Sequence, residues 1–299
     1  MQKPKRHGKN ERHTPRPPAP KPKGKTPFHK GQAGKGQAGK AQHNSRPTET
    51  RSFEPQRQSG PRPSGLWLYG MHPARAALAN PKRRVQRVVL TERAAEEIGG
   101  SLLGRARTEI ASMEQISKLL PPNSVHQGIA LQVQKLPRLD LDDVLAAGGE
   151  RRRVVLVLDQ VTDPHNTGAI LRSAVAFGVD AVIVQNRNAP DESGVLAKAA
   201  SGALDIVPYV QVVNIARTLE DLGKRDFWRI GLAGDGEMAL SDAARAGDIA
   251  LVLGSEGSGL RRLVRESCDT AAFIPMDGAM ESLNVSNAAA IALYELRRT

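Results

Sequence analysis

The sequence predicts an α/β protein whose main domain is a parallel sheet covered by helices, preceded by a smaller α/β module and a basic tail. Three observations carry this. Between Arg151 and Thr299, short apolar runs alternate with helical stretches, the pattern of strands buried on both faces by crossover helices. Two of these runs, Ile249–Leu253 and Ala271–Ile274, are each followed by a glycine-bearing loop, and open α/β sheets bind ligands beyond the carboxyl ends of their strands. The charge, finally, is unevenly spread. Residues 1–62 hold 16 of the 43 Lys/Arg and 3 of the 31 Asp/Glu, net +13, which leaves 27 basic and 28 acidic residues, net −1, in the remainder.

Residues 1–65 contain no Leu, Ile or Val and include a tandem GQAGK repeat at 31–40. Such a segment buries too little apolar surface to offset its ordering entropy, so disorder is expected. Its charge is the footprint of a polyanion partner. Only Phe28 and Phe53 could stack on bases, so phosphate contact, not base readout, is the expected use.

Folded structure is expected from Leu66. Residues 66–135 read as a small α/β module, with helices at His72–Leu78, Ala94–Leu103 and Met113–Leu120 and strands at Val85–Leu90 and Gly128–Val133. Pro121-Pro122 stops the last helix. Residues 136–150, with Pro137 and Gly148-Gly149, read as a linker holding one turn of helix at most. In residues 151–299 the strand candidates are Val154–Leu158, Ala181–Val184, Ile206–Tyr209, Phe227–Leu232, Ile249–Leu253 and Ala271–Ile274, and an alanine-rich helix closes the chain.

Several function classes drop out. A single cysteine, Cys268, excludes an intramolecular disulfide framework and a multi-cysteine metal site. His72, His126 and His165 are the only histidines beyond the tail, so no metal is expected. No apolar run approaches the ~18 residues that suggest a membrane span. The Lys/Gly/Pro-rich N-terminus is neither a secretory signal nor a transit peptide, so a cytoplasmic protein is expected. There is no GxxxxGK[ST] loop, no G-x-S-x-G and no Cys–His constellation. Gly234-Asp-Gly236-Glu-Met-Ala239 matches GxGxxA. It does not open the domain's first βα unit, so as a dinucleotide fingerprint it is weak.

The chemistry concentrates in three blocks. In DPHNTGAILRSA, Asp163–Ala174, either Asp163 or Asn166 can cap a helix and Pro164 suits its first turn. Ile170, Leu171, Ala174 and Phe177 share its core face, Arg172 points away from it, and Gly178 stops the helix. His165 alone reads as a helix-terminus polar group and Arg172 alone as a solvated charge. The second block is LVLGSEGSGL, Leu251–Leu260, and the third is FIPMDGAMESLNVSNAAAIALYE, Phe273–Glu295.

Together, in this order and spacing, the blocks resemble the SpoU/TrmH family of S-adenosylmethionine-dependent RNA 2′-O-ribose methyltransferases, of the knotted SPOUT class. Residues 66–133, with YGMHPARAAL and HQGIALQV, resemble that family's RNA-binding substrate domain. The resemblance implies a trefoil knot, which no periodicity would reveal because chains almost never knot. It places cofactor contacts at Gly254, Ile274 and Leu283, and catalytic positions at Asn166, Arg172, Glu256, Ser282 and Asn284. It implies a homodimer and an RNA substrate, not DNA. Members with this N-terminal module typically modify ribosomal RNA, which points to a guanosine of the large subunit. Glu281 and Asn287 depart from the family pattern, the first acidic where a neutral residue is usual and the second polar where an apolar one is common.

Guanidinium is effectively always protonated, so Arg172 is expected to bind phosphate and stabilise charge on oxygen. Glu256 would orient Arg172 or relay the proton. Arg83, Arg84 and Arg87, with Lys82, are the candidates for RNA docking, against an equal case for a solvated charge run at a strand edge. Three rival readings remain at this stage. They are a transfer-RNA methyltransferase, a non-catalytic RNA-binding ribosome-assembly factor, and an NAD-binding oxidoreductase resting on the weak glycine match.

Overall fold

The computed structural model describes residues 65–146, 151–244, 247–278 and 282–298. The basic tail, Gly148-Gly149 of the linker and Glu281 lie outside the described residues.

The first sheet is built from β1 (Leu66–Tyr69), α1 (Met71–Ala79), β2 (Val85–Leu90), α2 (Glu92–Ile98), α3 (Gly100–Leu103), β3 (Arg107–Ile110), α4 (Met113–Lys118) and β4 (Ile129–Val133). Its order is β1-β4-β2-β3, with β4 antiparallel to β1 and β2, and β3 parallel to β2. The helix expected over 94–103 is broken, because Gly99 takes φ +87°, a conformation that ends a helix and that side chains resist. Strand β3 went unpredicted. Its sequence RTEI is polar and largely exposed, so no apolar period marks it. Helix α4 begins with a capping box between Ser112 and Gln115.

The linker carries α5 (Leu141–Ala146). Beyond it come β5 (Val154–Leu158), α6 (Pro164–Ala176), β6 (Ala181–Gln185), α7 (Gly194–Ala200), a 3₁₀ turn at Ala203–Asp205, β7 (Tyr209–Val212) and α8 (Ile215–Gly223). Then follow β8 (Trp228–Leu232), β9 (Met238–Ala239), α9 (Leu240–Ala243), β10 (Ile249–Leu253), α10 (Arg262–Glu266), β11 (Thr270–Phe273) and α11 (Val285–Arg298). The strands form one sheet of order β7-β6-β5-β10-β8-β11-β9, parallel at every pairing.

Strands β5 and β10 lie in its middle, with every residue buried. Val154, Leu156 and Leu158 face one apolar cluster while Val155 and Val157 face another. That two-sided burial is why the runs read as continuously apolar. The strand expected at Ile206–Tyr209 instead starts at Tyr209. Ile206 closes the 3₁₀ turn through its amide to Ala203 O, at 3.0 Å, and Pro208 has no N–H to donate.

Arg83 requires a correction. It is 2% exposed, and it ties the first sheet to the larger one. Its Nε donates to Asp205 Oδ1 at 2.8 Å and its Nη2 to Asp205 Oδ2 at 3.0 Å. Its Nη1 donates to Gln134 O at 3.0 Å and to Glu192. Glu192 in turn accepts the Leu136 amide at 2.9 Å, and Asn80 Nδ2 donates to Asp205 at 3.1 Å. Burial alone would lower the guanidinium's pKa, but the two carboxylates outweigh it and hold it above its ordinary value. Arg83 therefore has no face to offer RNA. Arg87 is also engaged, with Glu109 at 2.8 Å. Of the expected docking cluster, Lys82 and Arg84 remain exposed.

Candidate active site at the carboxyl edge of the sheet

The loops after β8, β10 and β11 enclose a cavity of about 660 Å³, within the usual size of a ligand pocket. Its wall after β10 is backbone. Gly254 sits where a Cβ would overlap the Gly259 carbonyl and the Leu260 amide. The loop folds back on itself: Ser255 N donates to Gly259 O at 3.1 Å, and Gly259 N to Ser255 O at 3.0 Å. Gly257 and Gly259 take φ +86° and +65°, which makes so tight a reversal possible without strain. Ile274, Ser282 and Leu283 line the opposite side.

Glu256 stands at the tip of this loop. Its Oε1 accepts Asn284 Nδ2 at 2.6 Å, Asn166 Nδ2 at 3.1 Å and the Val285 amide at 3.4 Å. Asn284 Nδ2 also donates to Asn166 Oδ1 at 3.0 Å. Asn284 Oδ1 caps α11 by accepting the Ser286 and Asn287 amides at 2.9 and 3.4 Å, which fixes its amide the right way round. Asn166 is held by the first turn of α6, where Asp163 caps the His165 and Asn166 amides at 3.1 and 3.4 Å. Three residues from three segments thus form one network, with the Glu256 carboxylate at the positive end of α11. Its Oε2 makes no hydrogen bond to a described residue.

The structure brings Glu256, Asn284, Ser282, Gly254, Ile274 and Leu283 to one cavity, and Asn166 joins them through its hydrogen bonds to Glu256 and Asn284. It does not bring Arg172 there. Six residues beyond Asn166, Arg172 lies about 240° further round α6. It is exposed, does not line the cavity, and makes no hydrogen bond or ion pair to a described residue. Glu256 therefore does not orient Arg172 within one chain. Burial pushes the Cys268 thiol up to about 12, and its Sγ donates to Val264 O at 3.3 Å.

Leu232, Ala233 and Gly234 also line the cavity, a place that the GxGxxA match at Gly234–Ala239 does not predict. Gly236 serves packing. A Cβ at Gly236 would lie 2.6 Å from the Ala272 carbonyl carbon. The usable signal was position, since this loop follows β8 beside β10.

Comparison with known proteins accords with this geometry. Residues 153–294 match the model of the SpoU rRNA Methylase family, and residues 67–139 match that for RNA 2'-O ribose methyltransferase substrate binding. The 23S rRNA (guanosine-2'-O-)-methyltransferase RlmB of Coxiella burnetii is 38% identical over 236 residues, covering 77% of this chain and 94% of its own. The chain belongs to the SpoU rRNA methylase family. The RlmB protein of Xylella fastidiosa is 49% identical over 177 residues, 58% of this chain and 70% of its own. Among solved structures, the SpoU methyltransferase AviRb from Streptomyces viridochromogenes, in complex with the cofactor AdoMet, superposes with a TM-score of 0.66 at 25% identity. It covers 78% of this chain and 89% of its own. SpoU membership removes the oxidoreductase reading. This SpoU chain has the α/β SPOUT fold that its motifs implied, and it is an S-adenosylmethionine-dependent RNA 2′-O-methyltransferase.

Proposed function

We propose that the protein transfers a methyl group from S-adenosylmethionine to the ribose 2′-hydroxyl of a guanosine in large-subunit ribosomal RNA. The observation that carries this is the Asn166–Glu256–Asn284 network at the mouth of the glycine-walled cavity. The names of the RlmB relatives, which match most of the chain, support the substrate.

The cavity fits the cofactor because its wall at Gly254 is bare backbone that a side chain would fill. Gly254, Ile274 and Leu283 would hold the adenosine. Bound S-adenosylmethionine supplies an electrophilic methyl group carried on a sulfonium. Glu256, pinned through Oε1, keeps Oε2 free to take the 2′-hydroxyl proton, directly or through a water. Asn166 and Asn284 fix that carboxylate, so most of the rate gain comes from positioning. Ser282 at the rim hydrogen-bonds the ribose. Arg172, which lies outside its own chain's cavity, would reach a site only across the homodimer, there to bind the target phosphate and stabilise negative charge developing on oxygen. DNA lacks the nucleophile, so the chemistry itself selects RNA. Residues 66–135 grip the surrounding RNA, 136–150 link, and 151–299 carry the reaction.

The protein works as a cytoplasmic homodimer on this reading. No helix among the described residues is long and apolar enough to cross a membrane. On α11, Ile291 and Tyr294 are 43% and 57% exposed, and Tyr294 meets Phe177 edge-on at 6.3 Å. This apolar face runs from α11 to the end of α6, the helix that carries Arg172, and two-fold pairing is the commonest assembly. Light scattering should give twice 32.2 kDa. In the same preparation Arg172→Ala should cut methyl transfer at least about tenfold, ~1.4 kcal/mol, and leave cofactor affinity within a few-fold. A fully active monomer would refute the dimer, and an active Arg172→Ala would make that arginine a bystander.

A further inference from the structure

Asp159 follows β5 directly and is fully buried, at 0% exposure. Its amide extends the β5–β10 ladder by donating to Leu253 O at 2.8 Å. Among the described residues, its carboxylate is met by Arg261 alone. Arg261 donates its backbone amide to Oδ2 at 3.0 Å and its Nε to Oδ1 at 2.8 Å, and its Nη2 lies 2.6 Å from Oδ1. Arg261 Nη2 also reaches Gln185 Oε1 at 3.0 Å, at the end of β6. Neither Asp159 nor Arg261 lines the cavity.

Their places in the chain give the pair its meaning. Arg261 is where the Glu256 loop ends and α10 begins. Asp159 opens the loop that runs to the Asp163 cap and Asn166. Its next residue, Gln160, takes φ +61°, a left-handed turn uncommon for a residue with a side chain. The two loops that must meet at Glu256 and Asn166 are thus fastened to each other at their roots. The entry of the Glu256 loop is fixed by β10. Its exit is fixed by Arg261 on Asp159.

We propose that the Asp159–Arg261 ion pair is a positioning device for methyl transfer, holding the Glu256 loop in register with Asn166 while touching neither cofactor nor RNA. The inference rests on the placement of Glu256 in the active site. A buried carboxylate with one cationic partner is a costly way to gain stability alone, whereas a carboxylate held at Oδ2 by the backbone amide and at Oδ1 by the Nε of the same arginine fixes distance and angle together. Lysine would keep the charge and lose the planar group that meets Asp159 through Nε and Gln185 through Nη2.

The test is a double-mutant cycle on kcat with full-length protein, at saturating S-adenosylmethionine and RNA. Asp159→Asn keeps the side-chain size and one acceptor oxygen. It leaves Arg261, whose side chain is 38% exposed, free to be solvated. In the otherwise wild-type protein Asp159→Asn should lower kcat about 30-fold, with the RNA KM within about twofold. In a Glu256→Gln background the same change should cost less than about threefold, because the group it positions is already gone. Arg261→Lys should fall between Asp159→Asn and wild type.

Cofactor binding gives an arm that does not depend on the role of Glu256. Residues 254–257 and Gly259 of the loop line the cavity, so Asp159→Asn should raise the calorimetric Kd for S-adenosylmethionine about tenfold. An additive cycle, with the same 30-fold loss in both backgrounds, would reduce the pair to a structural one and overturn the proposal. So would a folded Asp159→Asn with wild-type kcat and wild-type cofactor affinity. If Glu256→Gln alone keeps full activity, the catalytic assignment of Glu256 falls. The cofactor arm then decides on the clamp.

Discussion

Gly254→Val is expected to weaken S-adenosylmethionine binding at least about 100-fold, ~2.8 kcal/mol. The new side chain would overlap the Gly259 carbonyl and the Leu260 amide. Those atoms cannot retreat independently, because Ser255 and Gly259 exchange both backbone hydrogen bonds and Asp159 holds the loop's exit. The loop must open, and the backbone wall of the cavity goes with it. The fold itself should survive, since Glu256–Gly259 are exposed and lie outside the core. Calorimetry on the folded variant checks this. Unchanged affinity would mean that the cofactor is held elsewhere.

Arg83→Ala is expected to cost about 3–5 kcal/mol of stability, because it strands two carboxylates at a buried site. Asp205 is 2% exposed at its side chain and Glu192 12%. For a folded region of this size the melting temperature should fall on the order of 10 °C. Arg84→Ala, at an exposed neighbouring position, should stay within about 0.5 kcal/mol. Thermal unfolding of the two variants side by side is the check. An Arg83→Ala protein that melts like wild type but shows a raised KM for RNA would restore the docking role expected from sequence.

Those two residues also show how far sequence reading reaches. Gly254 was legible because its cause is local: a glycine loop after a buried apolar run, in a recognisable family block. The same holds for Asp163 and Pro164 at the start of α6. Arg83 was not legible. Its partners lie 109 and 122 residues downstream, and a run of Lys82, Arg83, Arg84 and Arg87 looks like a surface charge patch until those partners fold onto it. Asp159 and Arg261 are 102 residues apart and escaped notice for the same reason. Strand β3 was missed because an exposed edge strand carries no apolar period. The Gly234–Ala239 match is no dinucleotide fingerprint, as its place in the chain implies, but that Gly234 lines the cavity follows from the sheet order, which no motif reveals. Asn166, Glu256 and Asn284 are named by the family blocks, and the structure supplies what the blocks do not, namely their hydrogen bonds and which oxygen of Glu256 accepts them.

The most direct test of the account is a map of ribose 2′-O-methylation by this protein in vitro. It would use large-subunit ribosomal RNA and bulk transfer RNA as competing substrates, with the Arg172→Ala protein as control. The account predicts methylation of a guanosine in the large-subunit RNA, absent with Arg172→Ala. Methylation confined to transfer RNA, or a wild-type protein that binds S-adenosylmethionine and large-subunit RNA yet transfers nothing, would contradict it.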